Sequence, residues 1–172
     1  KAIRIIHQFQ IQGLANLAWA VAKLPFLHAP LLDSIASSAL AKMKDVALWQ
    51  PQNLSNTMWS FAALGVAHAP LSDALSAAAL ATLSEFDPQA LTSTLWSCAR
   101  LSIDDVPLRH AIAAQALLRL HQYSPQGLSN TAWSCAILAF GDQPLLDAIS
   151  AAAISSIALF DGQGLANTAW AF

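Results

Sequence analysis

Five times in this sequence a glutamine, a second small polar residue and a tryptophan recur at one spacing. The phrases are Gln12-Gly-Leu-Ala-Asn-Leu-Ala-Trp19, Gln52-Asn-Leu-Ser-Asn-Thr-Met-Trp59, Gln89-Ala-Leu-Thr-Ser-Thr-Leu-Trp96, Gln126-Gly-Leu-Ser-Asn-Thr-Ala-Trp133 and Gln163-Gly-Leu-Ala-Asn-Thr-Ala-Trp170. Positions −7, −3, +1 and +4 from each Trp lie on one side of a helix. The polar residues there are Gln12, Asn16 and Lys23; Gln52, Asn56 and Ser60; Gln89, Ser93, Ser97 and Arg100; Gln126, Asn130 and Ser134; Gln163 and Asn167. Amides and hydroxyls both donate and accept hydrogen bonds, which suits base edges. Repeat proteins that read RNA use two or three such side chains per helical unit. The same row could instead bond from unit to unit as an internal polar ladder. A reading code varies between units, and this row scarcely does, so as a reader it would prefer a monotonous sequence.

Other chemistry is thinly represented. Cys98 and Cys135 share one repeat position on the apolar side of the helix, where a free Cys acts as a small hydrophobe. His28 and His68 each precede Ala-Pro between helices, and His7 and His121 share another position. Adjacent units hold them too far apart for a metal site without Cys or carboxylate help. Asp33, Asp73 and Asp147 follow a helix-opening Pro by three residues, where they favour the positive helix end. Asp104-Asp105 reads as a solvated loop. There is no glycine-rich phosphate loop and no nucleophile–base phrase. We therefore expect no enzyme, no cofactor, no metal centre and no small-molecule substrate.

The elements that position the polar row follow from the period. The Trp intervals are 40, 37, 37 and 37 residues, with Trp49 set aside. An aromatic stands ten residues before each landmark Trp (Phe9, Trp49, Phe86, Tyr123, Phe160), and Pro30, Pro70, Pro107 and Pro144 stand eleven after. This is an internal 37-residue repeat with one unit lengthened by three residues between Met43 and Trp49. Each unit reads as two helices. Asp87-Pro88 and Ser124-Pro125 are an N-cap followed by Pro at the first helical position. Helices are expected near 12–24, 31–46, 52–64, 71–85, 89–101, 108–121, 126–139, 145–158 and 163–172, with the tail of an earlier helix before Phe9. The units are 9–48, 49–85, 86–122 and 123–159, flanked by half units 1–8 and 160–172.

Composition agrees with such a stack. The chain is 56% hydrophobic and 10% charged, and 36 of its 172 residues are Ala, which favours helix. No run offers the roughly 20 apolar residues of a spanning helix. A hairpin this apolar must be covered by its neighbours. The expected fold is an all-α, right-handed α-solenoid. Trp19, Trp59, Trp96, Trp133 and Trp170 should form its structural core, with small residues such as Ala77–Ala79 letting second helices approach closely. The sequence opens inside one helix and closes inside another without polar capping units. It reads as an internal segment of a longer array, or one whose ends a partner covers.

Laid out this way, the repeat resembles the octotricopeptide repeat family and its algal relatives. Their two-helix units are described as one residue longer, with Trp-Ala or Trp-Ser in the first helix and Pro opening each helix. The phrase Leu-Ala-Asn-Thr-Ala-Trp-Ala-Phe at 165–172 looks especially like dinoflagellate repeat proteins. The resemblance implies a nucleus-encoded organellar protein, chloroplast in preference to mitochondrion, that binds single-stranded RNA and governs its processing, stability or translation. Charge argues differently. The net charge is +4 over residues 1–44, −4 over 45–99, +1 over 100–119 and −3 over 120–172, whereas RNA-binding faces are usually basic. The alternative is a protein-binding scaffold, an accessory subunit of a large organellar assembly such as a ribosome or photosynthetic complex.

Overall fold

The computed structural model describes residues 5–24 and 27–172. Among these residues there are nine α-helices and no strand. They are α1 (Ile11–Lys23), α2 (Ala29–Lys42), α3 (Pro51–Ala63), α4 (Ala69–Thr82), α5 (Pro88–Leu101), α6 (Val106–Arg119), α7 (Pro125–Ile137), α8 (Gln143–Ser155) and α9 (Gly162–Ala171). The odd-numbered helices are the first helix of each unit (A) and the even-numbered the second (B). Starts of α3, α5, α7 and α9 fall at 51, 88, 125 and 162, so the 37-residue period is kept. Each A helix packs on the A helices before and after it and on its own B helix, while B helices pack on one another. That two-layer stack is an α-solenoid. No helix among the described residues is long and apolar enough to cross a membrane.

Local chemistry sets each boundary. Asp87, Ser124 and Asp161 cap α5, α7 and α9 by accepting from the N–H of Ala90 (2.7 Å), Gly127 (3.1 Å) and Gly164 (2.7 Å). A side-chain cap of this kind contributes roughly 1 kcal/mol. B helices start two residues earlier than expected, because Pro occupies the second helical position and a cap precedes it. His28 and His68 cap α2 and α4 through their Nδ1 atoms, accepting from Leu31 (3.1 Å) and Leu71 (3.2 Å). Asp105 and Asp142 do the same for α6 and α8, with Leu108 (3.0 Å) and Leu145 (3.1 Å) as donors. Asp105 is therefore a capping residue rather than a loose loop carboxylate.

The ends of α3, α5 and α7 are equally regular. Gly65, Ser102 and Ala139 share one repeat position and have φ of 67°, 55° and 48°. The next residue's N–H closes the turn onto the helix: Val66 to Phe61 O (2.9 Å), Ile103 to Cys98 O (2.8 Å) and Phe140 to Cys135 O (2.8 Å). This is a Schellman ending, and only Gly adopts it without steric cost. B helices run on into 3₁₀ turns at Val46–Leu48, Leu83–Glu85, Leu120–Gln122 and Ile157–Leu159. In the lengthened unit, Met43–Asp45 separates helix from turn, so the three extra residues lie where the sequence placed them.

Aliphatic and alanine side chains make the core, with Leu32, Leu54, Leu91, Leu95, Leu108, Ile112 and Leu145 fully buried. Each such side chain contributes about 1.5–3 kcal/mol. The recurring tryptophans do not belong to it. Trp59, Trp96 and Trp133 are half-buried, and Trp19 and Trp170 are 43% and 61% exposed. The physical reason is the closeness of the A helices, whose mutual contact is the most extensive in the molecule. What fits between them is small: Ser55, Thr57, Ser60 and their repeats are buried there, and an indole is displaced to the rim. In the B layer the small residues behave as expected only in part, since Ala78 and Ala79 are buried and Ala77 is exposed.

Candidate ligand face along the A helices

The indoles form a ladder along one side of the A layer. Trp59 and Trp96 have ring centroids 6.3 Å apart at 30°, and Trp96 and Trp133 are 6.4 Å apart at 31°. At the first step the slot between rings holds a cation: Lys23 Nζ lies 5.5 Å from the Trp19 ring centroid and 5.2 Å from that of Trp59. Cation–π contacts of this type contribute about 0.5–1 kcal/mol at exposed sites. The equivalent positions are Ala63, Arg100 and Ile137, and among the described residues the contact between two Trp rings is made by Lys23.

Beside the ladder run two adjoining grooves. One, of about 670 Å³, is lined by Trp19, Lys23, Asn56, Trp59, Gln89, Ser93, Tyr123, Gln126 and Asn130, among others. The second, of about 410 Å³, takes in Gln12, Gln52, Asn56, Gln89 and Ser93, together with Glu85 and Asp87. The amide row of neighbouring units is thus brought into one continuous polar trough. Gln12, Gln52, Gln89, Gln126 and Gln163 are exposed, as is Asn16, while Asn56, Ser93, Asn130 and Asn167 are half-buried. Lys23 and Arg100 are exposed at the C-terminal ends of their helices.

Ser60, Ser97 and Ser134 stand apart from this set. All three are fully buried. Each hydroxyl donates 2.6 Å back to the carbonyl four residues earlier, on Asn56, Ser93 and Asn130. They are tucked between A helices because +1 from the Trp points at the neighbouring helix, and they bond within their own helix rather than from unit to unit. Asn16, Arg100, Gln163 and Asn167 line neither groove.

Tyr123, Thr92 and Gln122 are groove residues that the row of amides did not pick out. Tyr123 occupies the aromatic position ten before the Trp, where Trp49 and Phe86 are buried packing residues. Its hydroxyl was the available signal. Burial pushes the Tyr123 phenol up to about 12, so it stays neutral and able to donate. Burial likewise raises Cys98 and Cys135 to about 12, helped by the Asp105 and Asp142 carboxylates. Those thiols are packing groups, in keeping with their repeat position.

The charges of the face are few. Away from it, Arg109 of α6 is held by Asp104 at 2.5 Å. Arg119 donates to the carbonyls of Phe86 and Ser84. Glu85 and Asp87 stand at one edge of the trough and Lys23 at the other. Among the described residues no group of three or more His, Cys, Asp or Glu side chains is arranged to hold a metal.

A trough of this kind joins aromatic rungs to amide edges, groups suited to binding. Residues 46–172 match the family model of the RNA-editing substrate-binding complex 6 protein. The chain belongs to that family. The matched region spans three complete units and the final half unit, so the family's sequence pattern and the solenoid coincide. The match does not extend to the octotricopeptide family that the phrase around each Trp suggested. No curated protein matches the sequence.

Proposed function

We propose that this protein is a non-catalytic binding module of an RNA-handling complex, and that it lays single-stranded RNA along the A-helix trough. The observation that carries the reading is the continuity of Asn56, Gln89, Ser93, Gln126 and Asn130 beside exposed indole surface. Amides reach base edges, and rings offer stacking that is tolerant of base identity. In this reading Lys23 and Arg100 supply the phosphate contacts, while Ser60, Ser97 and Ser134 only maintain helix spacing. The family's description names an RNA-editing complex, which supports an RNA-associated role. An organellar location is retained as part of the proposal, but the family match lends no support to chloroplast over mitochondrion.

Titration with an unstructured single-stranded RNA at several salt concentrations tests this. Two phosphate-neutralising cations predict a shallow slope of log K against log salt, about −1.4. Lys23→Ala should lower that slope by about 0.7. Asn56→Ala and Asn130→Ala should weaken binding without changing the melting temperature. No salt-sensitive binding at low salt would sink the reading. In that event the second reading gains, a protein-gripping subunit of the same complex. It is favoured by the scarcity of cations on the face.

A further inference from the structure

On the opposite edge of the solenoid, where A helices turn into B helices, a groove of about 570 Å³ opens between the second and third units. Its lining includes Ser72, Asp73, Ser76, Ile103, Asp104 and Asp105. Ser76 is 3% exposed, and its hydroxyl has no hydrogen-bond partner among the described residues. An orphaned buried hydroxyl is costly and calls for an explanation. The local charge is negative. Asp73 is exposed, Asp105 uses one oxygen to cap α6, and Asp104 is partly neutralised by Arg109.

The chain itself shows what such a place holds. One unit further on, the residues equivalent to Ser72, Asp73, Ile103 and Asp105 are Arg109, His110, Phe140 and Asp142. There the Arg109 guanidinium lies 5.3 Å from the Phe140 ring centroid. The His110 ring meets Phe140 edge-on at 4.9 Å, with its Nδ1 4.0 Å from Asp142. Two cationic or cation-capable side chains thus cross from α6 to the next unit's connection. One unit earlier, Leu32 stands at the position of Ser72 and is fully buried. Between the second and third units the filling side chains are missing, yet the carboxylates that would receive a cation are present.

We propose that this groove is a binding site for an arginine side chain presented by an exposed segment of a partner protein. The guanidinium would stand where Arg109 stands one unit on, over Ile103, with its N–H groups on Asp73, Asp105 and the Ser76 oxygen. A planar fork of donors matches carboxylates bidentately and is weakly hydrated, which suits a half-enclosed site better than an ammonium does. The negative local charge excludes RNA phosphate here, so this site and the A-helix trough take different partners. The inference is independent of the reading of the trough.

The test is amide NMR on the full chain, titrated with the blocked peptide acetyl-Gly-Arg-Gly-amide, its citrulline counterpart and spermidine. The arginine peptide should shift signals of residues 68–76 and 101–108 saturably, and salt should weaken the effect. Citrulline and spermidine should leave those signals in place. Asp73→Asn should weaken binding about tenfold. Ser72→Arg, which installs the neighbouring unit's own filler, should abolish it. The proposal is overturned if the arginine peptide shifts nothing in this region. It is equally overturned if citrulline or spermidine binds as well, or if Asp73→Asn has no effect.

Discussion

Leu95 and Trp96 are consecutive on α5, and the rim position of the indoles reverses the order in which their truncations should hurt the fold. Leu95 is fully buried, so Leu95→Ala removes the transfer energy of its side chain and leaves a cavity, about 2–5 kcal/mol together. Trp96 is half-buried, and its specific partners are the rings of Trp59 and Trp133 at 6.3 and 6.4 Å. Each such ring contact adds about 0.5–1.5 kcal/mol beyond area burial, and the exposed part of the indole adds nothing. Two ring contacts and the partial burial of the indole together make Trp96→Ala cost about 2–4 kcal/mol, no more than Leu95→Ala although it deletes the larger side chain. Urea unfolding followed by far-UV circular dichroism measures both. A stacked array can unfold in stages, so midpoints of the two variants are compared at matched slopes. A Trp96→Ala midpoint clearly lower than that of Leu95→Ala would refute the placement of the ladder on the rim.

Two further outcomes follow from local geometry. Ala139 has φ of 48°, so Ala139→Gly should stabilise the chain by about 0.5–1 kcal/mol in the same urea assay, against the usual penalty for adding glycine. Burial pushes the Cys98 and Cys135 thiols up from 9.0 to about 12 and the Tyr123 phenol up from 10.0 to about 12. The unfolded chain therefore loses these protons first, and the stability they contribute is intact below pH 9 and lost as pH rises toward 12. Each group supplies a slope of up to about 1.4 kcal/mol per pH unit. Melting temperatures at successive alkaline pH values should fall, less steeply in Cys98→Ala; a flat profile in the parent chain would contradict the burial of these groups.

The period, the number of helices and the caps at Asp87 and Ser124 were legible because each rests on spacing or on one residue's own chemistry. The extra residues of the first complete unit were legible for the same reason. Burial was harder to read. A recurring Trp looks like core in any apolar sequence, but which residues fit between two helices depends on how closely they approach. Ser60, Ser97 and Ser134 read as exposed hydroxyls for the corresponding reason, since a serine can bond its own helix and disappear into a tight seam. His28 and His68 gave no cap signal because imidazole is an uncommon acceptor at that position, and only the shared register with Asp105 and Asp142 reveals the role. Of the candidate face, the amide row came from the sequence, and its union with Tyr123 and the indole rim required the packing of neighbouring units.

Arg119 has a consequence for how the array comes apart. From the last residue of α6 it reaches the carbonyls of Ser84 and Phe86, at the passage from the second unit to the third. At the same position Thr82 and Ser156 turn back to their own helices, onto Ala78 and Ala152. A linear stack ordinarily frays unit by unit from either end, with every joint equivalent. Here Arg119 adds a side-chain hold on backbone carbonyls across the joint between the second and third units, so fraying that reaches this joint should slow there.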